Sequence, residues 1–211
     1  MKVLLVNDSP NKEGRAFTAL SEVAGTLNQE GVETEFFWVG NKPVGGCVAR
    51  RRCGEKRERI FYDAVNEFRL KAFKADGFVF GTPVRYASAS GNMIGFMDRL
   101  FYSELRDNAN RAFRLKPAAA VISARRAGTT STFDQMIKYF TIQEMPVVST
   151  RYWNMVHGAK SEDVLQDAEG VFAMRELGQN MAFLPRCLEA GKKPGVTRPV
   201  QEAKPFTNFI R

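Results

Sequence analysis

Short, unbroken apolar runs alternate with segments of helical period along this chain, and that alternation restricts its fold more than any other feature. Val3-Leu4-Leu5-Val6 is apolar at every position and ends in Asn7-Asp8-Ser9-Pro10. Such a run reads as a strand buried on both faces, followed by a loop. Ala16, Leu20, Val23, Ala24 and Leu27 then recur at helical spacing, and Gly31 follows as the C′ residue. Val32 to Val39 reads as a second strand, so the unit is strand, loop, helix, strand, with a right-handed crossover. Downstream, Ile60 to Phe73 has helical periodicity, and Gly77 to Gly81 reads as a buried strand broken at Thr82-Pro83. A helix over about Gly91 to Phe101, a strand at Ala118 to Ser123 and a helix at Thr130 to Phe140 follow. Pro146-Val147-Val148-Ser149 reads as a fifth, shorter strand, and Ala168 to Glu189 contains the last helix. Alternation of this kind predicts an α/β fold, a three-layer doubly wound parallel sheet. The expected domain spans residues 1–191, and residues 192–211, with three prolines and little pattern, read as an extended or disordered arm.

Composition narrows the function classes. Hydrophobic residues make up 44% of the 211, which suits a packed core. No apolar run approaches the roughly 18 residues that span a bilayer. Met-Lys leads directly into a strand without a secretory pattern, so a cytoplasmic location is expected. The net charge is +8, locally concentrated at Arg50, Arg51, Arg52, Lys56, Arg57 and Arg59 within and just past a loop over Asn41 to Gly54. That cluster reads as a solvated loop face, with a partner or nucleic-acid patch as the other reading. The cysteines are Cys47, Cys53 and Cys187, an odd count that argues against a disulfide framework. His157 is the only histidine and has no evident ligand or nucleophile partner in the sequence, so no metal site or catalytic side chain is expected.

In an open parallel sheet, ligands bind beyond the carboxyl ends of strands where successive connections leave in opposite directions. The loops after the first, third and fourth strands are therefore the candidates. Asn7 to Thr18 carries hydroxyls, a glycine and the cations Lys12 and Arg15, and leads into a helix. A helix N-terminus offers free N–H groups and partial positive charge, which favours a phosphate; the alternative is an ordinary capped turn. The spacing fits neither a Walker loop nor GxGxxG. Thr82 to Gly91 joins a rigid proline turn to Tyr86, a wall for a planar ring or a plain surface turn. Ser123 to Thr130 brings Gly128 for close backbone approach, and Arg125 and Arg126 for negative charge or simple solvation. A phosphate-accepting end, a turn wall and a cationic loop meeting at one edge suit flavin mononucleotide.

Ser9-Pro10…Gly14, Gly81-Thr82-Pro83-Val84, Phe96-Met97-Asp98-Arg99 and Ser123-Ala124-Arg125-Arg126…Gly128-Thr129-Thr130 resemble the flavodoxin-like NADPH-dependent FMN reductase and iron–sulfur flavoprotein family. The resemblance runs from residue 1 to about residue 185. It implies a flavodoxin-like sheet of strand order 2-1-3-4-5 with helices on both faces. It also implies FMN as cofactor, NAD(P)H as co-substrate, a small-molecule or flavin acceptor, and a homodimer or homotetramer. Carried over by position, Ser9, Asn11, Ala16, Phe17 and Thr18 match the phosphate loop. Pro83, Val84, Arg85, Tyr86 and Ala87 match the turn along the flavin, and Ser123, Ala124, Arg125, Gly128 and Thr129 match the loop against the ring. Two departures stand out: Ala16 lacks a hydroxyl common near that position, and Arg85 precedes Tyr86 where the family often has two aromatics. An iron–sulfur cluster takes about four thiolates, more than this chain's cysteines supply. The expected function is an FMN-dependent oxidoreductase. The rivals are a non-catalytic flavodoxin-type carrier, a phospho-receiver domain, which needs an acidic residue where Gly81-Thr82 stands, and a nucleic-acid module using the Arg50 cluster.

Overall fold

The computed structural model describes residues 1–49, 61, 63–106, 112–202, 205 and 207. The whole Arg50 cluster, Cys53, Ile60 and Tyr62 at the start of the helix expected from Ile60, and the end of the C-terminal arm lie outside the described residues. Strands β1 (Lys2–Asn7), β2 (Glu33–Trp38), β3 (Gly77–Pro83), β4 (Ala118–Ala124) and β5 (Met155–His157) form one parallel sheet in the order β2-β1-β3-β4-β5. This is the flavodoxin-like doubly wound α/β arrangement that the alternation and the resemblance predict.

The unbroken apolar strands have a simple cause. Successive strand residues point to opposite faces, and here both faces are covered. Leu4, Val6, Phe78, Phe80, Ala120 and Ile122 face a core shared with helices α2 (Ala64–Ala72), α3 (Gly91–Arg106) and α4 (Thr129–Ile142). Val3, Leu5, Val79, Ala119 and Val121 face a second core shared with α1 (Arg15–Gln29) and α6 (Ala168–Lys192). A one-turn helix, α5 (Ser161–Val164), follows β5. Among the described residues no helix is long and apolar enough to cross a membrane.

Phenylalanines dominate the first core. The Phe68 ring lies 5.0 Å from Phe37, 5.4 Å from Phe96, 6.0 Å from Phe80 and 6.1 Å from Phe78, mostly in tilted or edge-on arrangements. On the other face α1 crosses β3 closely. A Cβ at Gly81 would come within 2.7 Å of Leu20 Cδ1, so glycine here lets α1 settle against the carboxyl end of the sheet. Gly31 takes φ 73° directly after α1, as its C′ position predicts.

Two expectations need correcting. The helix expected from Ile60 begins at Ala64, because the Asp63 side chain accepts from Val65 N and caps it there. The fifth strand is Met155–His157, not Pro146–Ser149. Val147 makes only an isolated bridge with Ala118, and Val148 N donates to Ala118 O. Asn154 then turns the chain back, with Nδ2 donating to Val148 O while its carbonyl accepts from Ile122 N. The edge is thus paired twice, at the start of β4 and again at its end.

Phe68→Ala should remove about 3–5 kcal/mol of stability, because it empties a site packed on all sides. Urea unfolding checks this: the midpoint should fall with the slope unchanged.

Candidate functional site

The carboxyl ends of β1, β3 and β4 lie side by side, with Asn7 opposite Gly81 and Pro83 opposite Ser123. The loop after β1 is folded by its own polar groups. Asn7 Nδ2 donates to Lys12 O, Ser9 N to Asn7 Oδ1, Gly14 N to Asn11 O, and Trp38 Nε1 to Ser9 O. It delivers the chain to Gly14, the N-cap of α1, which supplies no side-chain cap. The N–H groups of Arg15, Ala16 and Phe17 therefore head a helix with no intrahelical acceptor and a partial positive charge.

The loop after β3 makes a tight turn. Arg85 N donates to Ser88 O at 2.8 Å and Ser88 N to Arg85 O at 3.0 Å, with Tyr86 (φ 50°) and Ala87 (φ 57°) between them. Positive φ at both central residues is the geometry of a type I′ turn, and without glycine it costs roughly 1–2 kcal/mol per residue. The turn is fastened to α4: Gln135 Oε1 accepts from Ser88 Oγ and Ala89 N, and Ser131 Oγ donates to Ala87 O. The loop after β4 closes on it at Gly128. That residue has φ 92°, and a Cβ there would lie 2.8 Å from Ala87 Cα and 3.0 Å from Val84 Cγ1.

Between the first two loops and β4 lies a cavity of about 410 Å³, bordered by Ser9, Asn11, Arg15, Arg85, Ser123 and Lys160. Three of these are cations. Arg15 Nη1 donates to Gly158 O, and burial, then the like charge of Arg85, lowers the Arg15 pKa. Among the described residues Arg85 has no ion-pair partner. Ser123 Oγ is fully buried and has no hydrogen-bond partner among the described residues. Asp8, one residue past β1, is 2% exposed, and its Oδ1 is likewise without a partner. Its other oxygen accepts from Thr82 Oγ1 at 2.8 Å and from Ser90 Oγ. Burial pushes the Asp8 pKa up to about 6, against the two hydroxyl bonds and the charge of Arg85.

Of the residues matched from sequence, Ser9, Asn11, Ala16, Pro83, Arg85 and Ser123 line this cavity. The others take different positions. Phe17 turns to the Phe36 ring, 5.0 Å away, and Thr18 Oγ1 lies 3.5 Å from Gly14 O. Val84 packs against the first core, and Tyr86 is fully exposed beside Ala87 at the turn tip. Ala124 pairs with His157 at the end of β4, Arg125 is exposed, and Gly128 caps α4. Thr129 lines a separate cavity of about 260 Å³ with Tyr152, Met155 and His157. Sequence reasoning missed Asp8 and the rim at residues 159–162. The rim belongs to the connection after β5, and the displaced strand assignment hid it. Ser161 Oγ donates to Glu13 O, tying that rim to the first loop.

Sheet order, switch point and loop placement define the flavodoxin-like class. The sequence matches the NADPH-dependent FMN reductase family over residues 1–160, and the chain belongs to that family. An iron–sulfur flavoprotein of Methanocaldococcus jannaschii is 29% identical over 194 residues, covering 90% of this chain and 100% of its own length. Among solved structures, RosB with bound 8-demethyl-8-formylriboflavin-5′-phosphate superposes with a TM-score of 0.69 at 15% identity, over 100% of this chain and 94% of that one. A flavodoxin from the domain Archaea superposes with a TM-score of 0.58 at 13% identity, over 88% and 99%.

Asp8 also predicts a pH dependence. Its folded pKa of about 6 lies above the ordinary value of 3.8, so the folded chain holds the proton more tightly. The resulting stability is full below the ordinary value and is lost as pH rises through about 6. Asp8→Asn keeps the neutral shape at every pH. Its melting temperature relative to wild type should therefore rise by a few degrees between about pH 4.5 and 7.5.

Proposed function

We propose that this chain binds FMN in the cavity between its first two loops and β4, and passes electrons from a nicotinamide nucleotide through it to a small-molecule or flavin acceptor. One observation carries the reading. A single cavity joins an uncapped helix N-terminus, flanked by Arg15, Arg85 and Lys160, to a buried Ser123 hydroxyl with no partner among the described residues. The cationic end matches a phosphate dianion, and an orphaned hydroxyl beside it matches a polar group of a ligand. The family and the names of its relatives support the same reading.

The residues have distinct tasks. The N–H groups of Arg15, Ala16 and Phe17, with Ser9 and Asn11, would hold the phosphate. Pro83 to Ala87 and Ser123 to Thr129 would flank the ring, kept at a fixed separation by Gly128 against Ala87. Bound FMN supplies the two-electron chemistry, so the protein's contribution is orientation and electrostatics rather than a side-chain acid or base. Arg125, exposed and without an ion-pair partner among the described residues, would offset negative charge on the reduced ring. With three cysteines in the chain, the flavin rather than an iron–sulfur cluster is the redox group. Assembly as a homodimer or homotetramer belongs to the same reading.

The purified protein should be yellow, or become so on addition of FMN, and should oxidise NADH or NADPH in the presence of a quinone or free flavin. A yellow protein inert toward both nucleotides would be an electron carrier; a colourless one that refuses FMN would refute the reading. Ser123→Ala should leave the apoprotein as stable as before or slightly more so, since an unpaired buried hydroxyl is lost. Its FMN dissociation constant should rise by about tenfold, the equivalent of one neutral hydrogen bond.

A further inference from the structure

We infer that Asp8 is a positioning residue for phosphate recognition: it ties down both ends of the Pro83–Ala89 loop and so holds Arg85 at the cavity opposite Arg15. The inference rests on the FMN reading and adds to it a determinant of FMN over unphosphorylated flavin.

The geometry is a clasp. A single Asp8 oxygen accepts from Thr82 Oγ1, at the end of β3, and from Ser90 Oγ, at the start of α3. Ser90 N donates to Thr82 Oγ1 at 3.3 Å, and Ser90 Oγ accepts from Met93 N at 3.1 Å. The two ends of the loop are thus joined through one carboxylate, and the far end is joined to the first turn of α3. Nothing exposed takes part in the link to Thr82: Asp8 and Thr82 are both buried. Hydroxyl donors to an ionised oxygen are stronger than neutral pairs, which suits a clasp beneath a turn strained at Tyr86 and Ala87.

What the clasp presents is Arg85. Its backbone is fixed by the reciprocal bonds to Ser88, and its side chain borders the cavity. The like charges of the two guanidinium groups repel, and Arg85 lowers the pKa of Arg15 although Asp163 acts in the opposite sense. That repulsion is relieved by a doubly charged anion placed between them. Asp8 also acts on Arg85 through space as an opposite charge. A riboflavin molecule, lacking the phosphate, gains nothing from either cation. The role is therefore visible as a ratio of affinities rather than as an affinity.

The test uses the apoprotein, with FMN and riboflavin as separate probes and quenching of flavin fluorescence as the readout. Arg85→Ala should weaken FMN by about tenfold or more and riboflavin by less than about twofold, and Asp8→Ala, which also loosens a wall of the ring, should weaken FMN at least about fivefold more than riboflavin. The double variant should be no weaker toward FMN than the worse single variant, because both remove one coupled element. Asp8→Asn, which keeps an acceptor for both hydroxyls, should return FMN affinity to within about threefold of wild type. Amide exchange across residues 84–89 of the apoprotein should accelerate in Asp8→Ala and not in Asp8→Asn. Equal losses for both flavins, additive losses in the double variant, or no loss at all would overturn the inference. Should Asp8→Ala fail to fold, Thr82→Val carries the same expectation of a phosphate-selective loss. Wild type that takes up neither flavin would remove the FMN reading itself, whereas wild type that binds with Asp8→Ala unchanged would remove only this inference.

Discussion

The pairing of β1 with β3 at the middle of the sheet governs everything that follows it. The two strands run parallel from Val3 opposite Gly77 to Asn7 opposite Gly81 and are buried on both faces. From β1 the chain crosses to β2 on one side, while β3 leads to β4 on the other. Two loops leaving adjacent strands in opposite directions open a crevice between them, and an α/β sheet binds ligands in that crevice. The site is therefore a consequence of strand order before any polar residue is considered. The apolar cores serve it indirectly, by making the order of strands the one that buries Leu4, Phe78 and Phe80 against α2, α3 and α4.

Close approach and buried polar bonds then convert a crevice into a shaped cavity. Gly81 admits α1 against β3, so the helix N-terminus arrives at the sheet edge rather than above it. Gly128 admits the loop after β4 against Ala87. Gln135 and Ser131 hold the turn from the α4 side, and Asp8 holds it from beneath. Such constraints keep Tyr86 and Ala87 in a conformation that an isolated turn of these residues would leave. The buried, unpartnered atoms of Ser123 and Asp8 sit at the same strand ends. Unsatisfied polar atoms are expensive in a packed interior, and of these two residues Ser123 borders the cavity.

The strands β1 to β4 were legible because a sheet covered on both faces forces apolar residues at every position, as in Val3 to Val6 and Ala118 to Ile122. β5 was not, because its ladder is only three residues long and its outer neighbour is loop. Val147 and Val148 look more like a strand than Met155 to His157, yet they pair at only one point. The start of α2 was set by a single capping side chain, Asp63, inside a longer helical period. In the site, the helix-leading loop and its Arg15, the proline turn and Gly128 were legible from residue type and position. Asp8 was in plain view but uninformative, since an acid after a strand is ordinarily a solvated turn residue. Its significance comes from contacts with Thr82 and Ser90, more than seventy positions away. The rim at residues 159–162 depended on knowing where β5 ends.

The central claim for this protein is that α1's N-terminus and the loops after β3 and β4 would enclose a single phosphorylated flavin. A crystal structure of the protein grown with FMN addresses it directly. The phosphate should lie within hydrogen-bonding reach of the Arg15, Ala16 and Phe17 N–H groups and Ser9, with the ring between residues 83–87 and 123–129. Density for FMN elsewhere on the molecule, or none at saturating FMN, would contradict the account.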